Sequence, residues 1–163
     1  MALPQTELAE SIGIDASLAE VWDFYFDSRG WPEWVDQFGA VVAREGYPEA
    51  GGTLSWSSTS AGRGGVSERV LEHAPRGLHR IAFTDPQTEG ELATTFEIDG
   101  DRTRVQQRLV YRLRKGGIFA WATDLLFIRS QQRRSIQRSL VRLKREVEAR
   151  SRRAASAPGA PAL

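Results

Sequence analysis

The chain has 163 residues, of which 40% are hydrophobic and 26% charged, with a net charge of +1 at pH 7. That is the composition of an ordinary globular protein, long enough for one domain with a sizeable core. It contains no cysteine, which excludes disulfides, thiolate zinc sites and cysteine nucleophiles. The small net charge conceals an asymmetry. Residues 1–101 hold 6 Lys/Arg and 18 Asp/Glu, whereas residues 102–163 hold 16 and 3. Either the two halves face each other and neutralise, or the second presents a basic face to an anionic partner.

Residues 1–4, Met1-Ala2-Leu3-Pro4, are expected to be a disordered N-terminus and lack the basic and apolar regions of a signal peptide. A cytoplasmic location fits this and the absence of cysteine. Gln5 to Ile14 alternates, with Leu8, Glu10, Ile12 and Ile14 on one face, which predicts a half-buried strand. Ser17-Leu18-Ala19-Glu20 is a capping box. It opens a short helix whose inner face is Leu18, Val21, Trp22 and Tyr25. Gly30 breaks that helix, and Pro32 suits the first turn of a second one running through Trp34 and Phe38. From Gly39 the period changes to two. Strands are predicted at Ala40–Arg44, Thr53–Ser58, Val66–His73, Leu78–Asp85, Glu91–Ile98 and Thr103–Leu113. Turn-formers separate them, among them Ala74-Pro75-Arg76-Gly77, Pro86 to Gly90 and Asp99-Gly100-Asp101. Successive strands with short loops make an antiparallel meander.

Gly116 to Arg150 reads as one long amphipathic helix. Ile118, Trp121, Leu125, Ile128, Gln132, Ile136, Leu140, Leu143 and Val147 recur at steps of three or four, and no proline follows before Pro158. Gln132 is wrong for a dry core, so the stripe touches water there or lines a cavity. The most apolar run, Gly117 to Ile128, contains Asp124 and is too short to span a bilayer. Residues 151–163 are expected to form a disordered tail, which leaves 5–150 as a single domain.

Over residues 5–150 the chain resembles the SRPBCC superfamily, which includes START-like lipid-transfer domains and the polyketide cyclase/dehydrase family. The resemblance is carried by the element order, by Ile14-Asp15-Ala16-Ser17-Leu18-Ala19-Glu20-Val21-Trp22, by Trp31-Pro32-Glu33-Trp34 and by the terminal helix. It implies an α+β helix-grip fold. A curved antiparallel sheet of about seven strands wraps around the long C-terminal helix, and two short helices follow the first strand. A hydrophobic cavity would lie between helix and sheet. The superfamily has no shared catalytic signature, so no catalytic residue is carried over.

The turns predict the hairpin registers. Pairing Asp99 with Arg102 sets Phe96 opposite Val105, Thr94 opposite Gln107 and Leu92 opposite Leu109. Pairing Thr84 with Glu91 sets Phe83 against Leu92, Ile81 against Thr94 and His79 against Phe96. Pairing His73 with Leu78 sets Glu72 beside His79, Val70 beside Ile81 and Glu68 beside Phe83. The inner face is then apolar, with Glu68, Glu72, His79, Thr94, Gln107 and Gln132 set into it. Apolar walls with a few convergent polar groups suit a small-molecule pocket. The expected ligand-binding residues are Trp56, Glu68, His79, Phe83, Thr94, Phe96, Gln107, Tyr111, Trp121, Leu125 and Gln132. Structural roles compete with this: Glu72 pairing with His79 at the sheet rim, a hydrogen bond between Thr94 and Gln107, and tryptophans packed in the core.

These features point to binding or transport of a hydrophobic small molecule, such as a lipid or aromatic polyketide. The first alternative is a polyketide cyclase/aromatase-type enzyme, with His79 as base and Glu72 as its orienting carboxylate. The two histidines, His73 and His79, are expected on opposite faces of their hairpin, which argues against a shared metal. There is no phosphate loop, nucleophile elbow or dinucleotide fingerprint, and no cofactor is expected. The second alternative is a protein- or membrane-interaction module. Arg134, Arg138 and Arg142 form an i, i+4 ladder, and Phe119, Leu126 and Phe127 lie outside the buried stripe. Equally, the ladder can pair with Asp23, Asp27, Glu33 or Asp36. Specific nucleic-acid binding is not expected.

Overall fold

A computed structural model of the chain describes residues 5–59, 64–114 and 121–157. The elements follow the order β1 (Thr6–Ile14), α1 (Leu18–Phe26), α2 (Trp31–Trp34), β2 (Phe38–Glu45), β3 (Thr53–Ser58), β4 (Gly65–Ala74), β5 (Leu78–Thr84), β6 (Thr88–Asp99), β7 (Arg102–Leu113) and α3 (Trp121–Ser156). The strands form one antiparallel sheet in the order β1-β7-β6-β5-β4-β3-β2. It is a meander to which the first strand returns beside the last. This is the expected α+β helix-grip arrangement, and α3 buries Gln132, Ile136, Leu140, Leu143 and Val147.

Local chemistry sets the boundaries. The capping box forms: the Ser17 hydroxyl accepts from the Glu20 N–H at 3.3 Å, and the Glu20 carboxylate accepts from the Ser17 N–H at 2.9 Å. The second helix stops at Trp34 instead of continuing through Phe38. Val35 is extended and Gln37 has a φ of 59°, which a right-handed helix cannot accommodate, so Phe38 begins β2. The terminal helix runs on to Ser156, beyond the expected end at Arg150. The remainder of the expected tail, residues 158–163, and the expected disordered residues 1–4 lie outside the described residues, as does Phe119.

Two registers differ from the sequence reading. The β6–β7 hairpin pairs as expected from Asp99↔Arg102 through Leu92↔Leu109. Between β5 and β6, however, Thr84 pairs with Glu89 rather than Glu91. The Asp85 carboxylate accepts from the N–H groups of Gln87 and Thr88 at 2.8 and 2.7 Å, and from the Thr88 hydroxyl at 2.9 Å. These bonds close the turn early, so Gly90 lies inside the strand. The slip is two residues, and every side chain keeps its face. Between β4 and β5, His73 pairs with His79 and Glu72 with Arg80, while Val70 still faces Ile81. Leu71 is the extra residue of a bulge, which turns Glu72 outward and His73 inward.

The inner face is therefore built in rows. Val70, Ile81, Leu92, Leu109 and Leu8 form one apolar row across five strands. The next inner row is polar: His73, His79, Thr94, Gln107 and Glu10. Beyond it Phe96, Val105 and Ile12 are apolar again.

The acidic first half and basic second half meet where α2 touches α3. The Asp36 side chain is 4% exposed and receives Nε and Nη2 of Arg138, both at 2.9 Å, with Arg142 at 3.6 Å. The Asp36 N–H donates to the Ser139 hydroxyl at 2.9 Å. Arg150 reaches Glu33 at 3.3 Å, and Arg133 reaches Glu10 at 3.3 Å. Two of the three ladder arginines thus fasten the helix to its own chain, while Arg134 is exposed. Asp36→Ala should lower the unfolding free energy by about 2 kcal/mol in urea denaturation. That is less than for a fully buried pair, because half-exposed Arg138 can turn to water. Arg134→Ala should stay within about 0.5 kcal/mol of the parent; equal effects of the two would dissolve the clasp. Among the described residues no helix is long and apolar enough to cross a membrane.

Candidate ligand-binding cavity

Between the inner face and α3 lies a cavity of about 130 Å³. Its floor is the middle of the sheet, with Ile81, Phe83, Leu92 and Leu109 as apolar wall. Its roof is one face of α3, carrying Gln132, Ser135, Ile136 and Ser139. Tyr25 of α1 and both tryptophans of α2 close one side. The short helix Trp31-Pro32-Glu33-Trp34 is what aims two indoles at one place. The Trp31 indole N–H donates to the Tyr25 carbonyl at 2.9 Å, whereas that of Trp34 has no partner among the described residues. On the far side Trp56 stacks on Phe38, ring centroids 5.3 Å apart, and its N–H donates to Glu68 Oε1 at 2.8 Å.

Two polar groups sit in the floor. The first joins Tyr25, Thr94 and Gln107. Gln107 Nε2 donates to the Tyr25 hydroxyl at 3.2 Å and to Thr94 Oγ1 at 3.4 Å, and the two hydroxyl oxygens are 3.1 Å apart. Burial pushes the Tyr25 phenol up to about 12, outweighing the opposing bonds from Thr94 and Gln107, so it keeps its proton at any physiological pH. The second is His79, whose Nδ1 lies 3.0 Å from that of His73, a residue that does not itself line the cavity. His79 is packed among rings, with Phe26 at 4.9 Å and Tyr47 at 5.4 Å between centroids. Burial first, and the neighbouring His73 second, push His79 down to about 4, so it is neutral at pH 7. Its Nε2 is buried without a partner among the described residues. Burial also pushes the Tyr47 phenol well up.

Of the residues singled out in the sequence, Trp56, Glu68, His79, Phe83, Thr94, Gln107 and Gln132 line this cavity. Gln132 donates to Thr88 Oγ1 at 3.4 Å, which explains a polar residue in the buried stripe. Phe96 does not line it. That ring packs under α1 against Trp22 and Tyr25, at 5.0 and 5.1 Å, because the corrected register moves it one inner row away from His79. Tyr111 is not a lining residue either and is buried in the core opposite Gly90. The side chains of Trp121 and Leu125 fall outside those described. The pairing of His79 with Glu72 fails: the bulge turns Glu72 to the outer face, where Arg80 lies 3.6 Å away. It brings His73 to His79 instead, so the two histidines share a face after all. No third metal-binding group joins them among the described residues.

Sequence reasoning missed Tyr47, Trp31, Trp34, Asp36, Ser135 and Ser139 as lining residues. One signal was available: Gln132, Ser135 and Ser139 are spaced i, i+3, i+7 and mark one polar strip on the helix.

The model of the family described as polyketide cyclase / dehydrase and lipid transport matches residues 5–148. Among solved structures, the Zhui aromatase/cyclase from Streptomyces sp. R1128 aligns with a TM-score of 0.78 at 17% identity, over 93% of this chain and 98% of its own. Norcoclaurine synthase from Thalictrum flavum, a point mutant in complex with a transition-state analogue, aligns with a TM-score of 0.68 at 10% identity, over 93% and 99%. A protein from Thermus thermophilus aligns with a TM-score of 0.66 at 23% identity, over 90% and 99%. At these identities the likeness is one of fold. No curated protein sequence matches the chain.

Proposed function

The chain belongs to the polyketide cyclase / dehydrase and lipid transport family, and from that premise we propose that it binds one small hydrophobic molecule between sheet and α3. The observation that carries this reading is the cavity itself, about 130 Å³ with apolar walls and a polar row in its floor. Its size narrows the ligand. An apolar cavity of roughly 150 Å³ holds benzene, and drug-sized ligands need about 300 Å³ or more. A one-ring aromatic, or the ring end of a longer molecule, suits the space better than a whole lipid or multi-ring polyketide.

Isothermal titration with p-cresol tests this. One-to-one binding is expected for the parent and none for Gln132→Phe, which places a ring in the cavity from the roof. Equal binding by both would put the molecule elsewhere and contradict the reading. A second reading, acid–base chemistry on the bound molecule, draws support from the His73–His79 contact, since a proton taken up at His79 Nε2 can be matched by release of its Nδ1 proton to half-buried His73, which then carries the charge in place of His79. It differs from binding in that the recovered ligand is a different compound, or carries deuterium exchanged from heavy water at the carbon that gave up its proton. Membrane or protein docking through the basic helix draws less support, because Arg138 and Arg142 are occupied by Asp36. It rests on Arg134 and on Leu126 and Phe127, both 70% exposed.

A further inference from the structure

The polar row carries more than a place to bind; it carries a chemical preference. Tyr25, Thr94 and Gln107 bring four donor protons to their contact: two hydroxyl protons and two on the Gln107 amide. With the amide turned as it is here, its nitrogen donates to both hydroxyl oxygens. The remaining contact, between the hydroxyls, uses one hydroxyl proton. Whichever hydroxyl donates to the other, the second keeps its proton. Both Tyr25 and Thr94 line the cavity. Another donor on the walls is also unspent: the indole N–H of Trp34, a residue 4% exposed, has no partner among the described residues. A buried donor without an acceptor costs roughly 1–3 kcal/mol. A ligand that supplies an acceptor oxygen removes that cost, and a pure hydrocarbon does not.

We propose that the cavity selects a ketone or aldehyde of about one-ring size, its carbonyl oxygen held by the spare hydroxyl proton of the Tyr25–Thr94 pair. This rests on the cavity being a binding site, and the test separates the two claims. Acetophenone and ethylbenzene share a ring and nearly a shape, and differ in the carbonyl. Calorimetric titration of the full chain should give acetophenone the lower Kd by about three- to tenfold, the worth of one net hydrogen bond. Single substitutions are uninformative, because each leaves another donor of the cluster in place. The triple variant Tyr25→Phe, Thr94→Val, Gln107→Leu replaces the whole cluster by apolar groups of similar shape and should reduce the preference, and adding Trp34→Phe, which removes the other unspent donor, should erase it. In the parent, the infrared carbonyl stretch of bound acetophenone should lie below its value in a hydrocarbon solvent. That reading stands even if the triple variant does not fold. Equal affinities or an unshifted stretch would overturn the carbonyl preference and leave the binding site standing. Failure of both molecules to bind would overturn both.

Discussion

Acidification from pH 7 to about pH 4 should remove about 3 kcal/mol of stability through His79 alone. In the unfolded chain its imidazole takes a proton near the ordinary value of 6.5, whereas in the fold burial and His73 hold it down to about 4. Between those values the unfolded state binds the extra proton and the folded state does not, so stability rises with pH across the window and is lost as pH falls. A difference of this size corresponds to about 3 kcal/mol. Among the described residues, the groups packed on the ring supply no anion to hold the cation: Phe26 from α1, Tyr47 from the β2–β3 loop, His73 from β4 and Thr94 from β6. Tyr47 stays a neutral phenol there, because burial raises it. Exposed carboxylates such as Glu7 with Arg108 and Asp27 with Arg29 are held below their ordinary values by those hydrogen bonds. Their contributions begin to fade only at the acid edge of the histidine window, as pH falls through the ordinary carboxylate values of 4.5 for Glu7 and 3.8 for Asp27. Urea denaturation at pH 4, 5, 6 and 7 measures the slope, and His79→Phe should flatten it between about 6.5 and 4. Identical slopes for parent and variant would mean that His79 protonates freely in the fold.

Gly90→Ala should destabilise the protein by about 3 kcal/mol or more. A Cβ on Gly90 would overlap the Val110 carbonyl oxygen and come within 2.7 Å of the Tyr111 Cα. Both obstacles are backbone of β7, which pairs with β6 along its whole length, so no side-chain rotation relieves the clash. The strands must separate beside Phe83, which faces Gly90 on the other flank and lines the cavity. Gly65→Ala is the matched comparison, since a Cβ there meets nothing within 4 Å. It should be neutral or slightly stabilising through the unfolded state. Similar denaturation midpoints for the two variants would show that β6 and β7 are not in such close contact.

What could be read from the sequence was what local chemistry decides. The capping box at Ser17, the hairpin turn at Gly100 with a φ of 64°, and the periodic stripe of α3 each depend on residues a few positions apart. The bulge at Leu71 does not. It leaves no local mark, yet it exchanges Glu72 for His73 on the inner face and so replaces the expected acid–base pair with two histidines. Tyr47 enters the cavity wall from a loop with no periodicity to betray it. The Asp85 turn lies between these cases. Its carboxylate, three residues before Thr88, was a readable cap, but the proline and glycine around it suggested a longer loop. The charge asymmetry left open whether the halves attract each other or the second faces an anionic partner, and only the fold reveals Asp36 as the place where two arginines meet.

A crystal structure of the protein grown with acetophenone addresses the cavity most directly. One molecule should lie between Trp34, Trp56 and Gln132, its oxygen within hydrogen-bond reach of Tyr25 or Thr94. Side chains collapsed across that space, or acetophenone found only on the outer surface, would contradict a ligand site between sheet and helix.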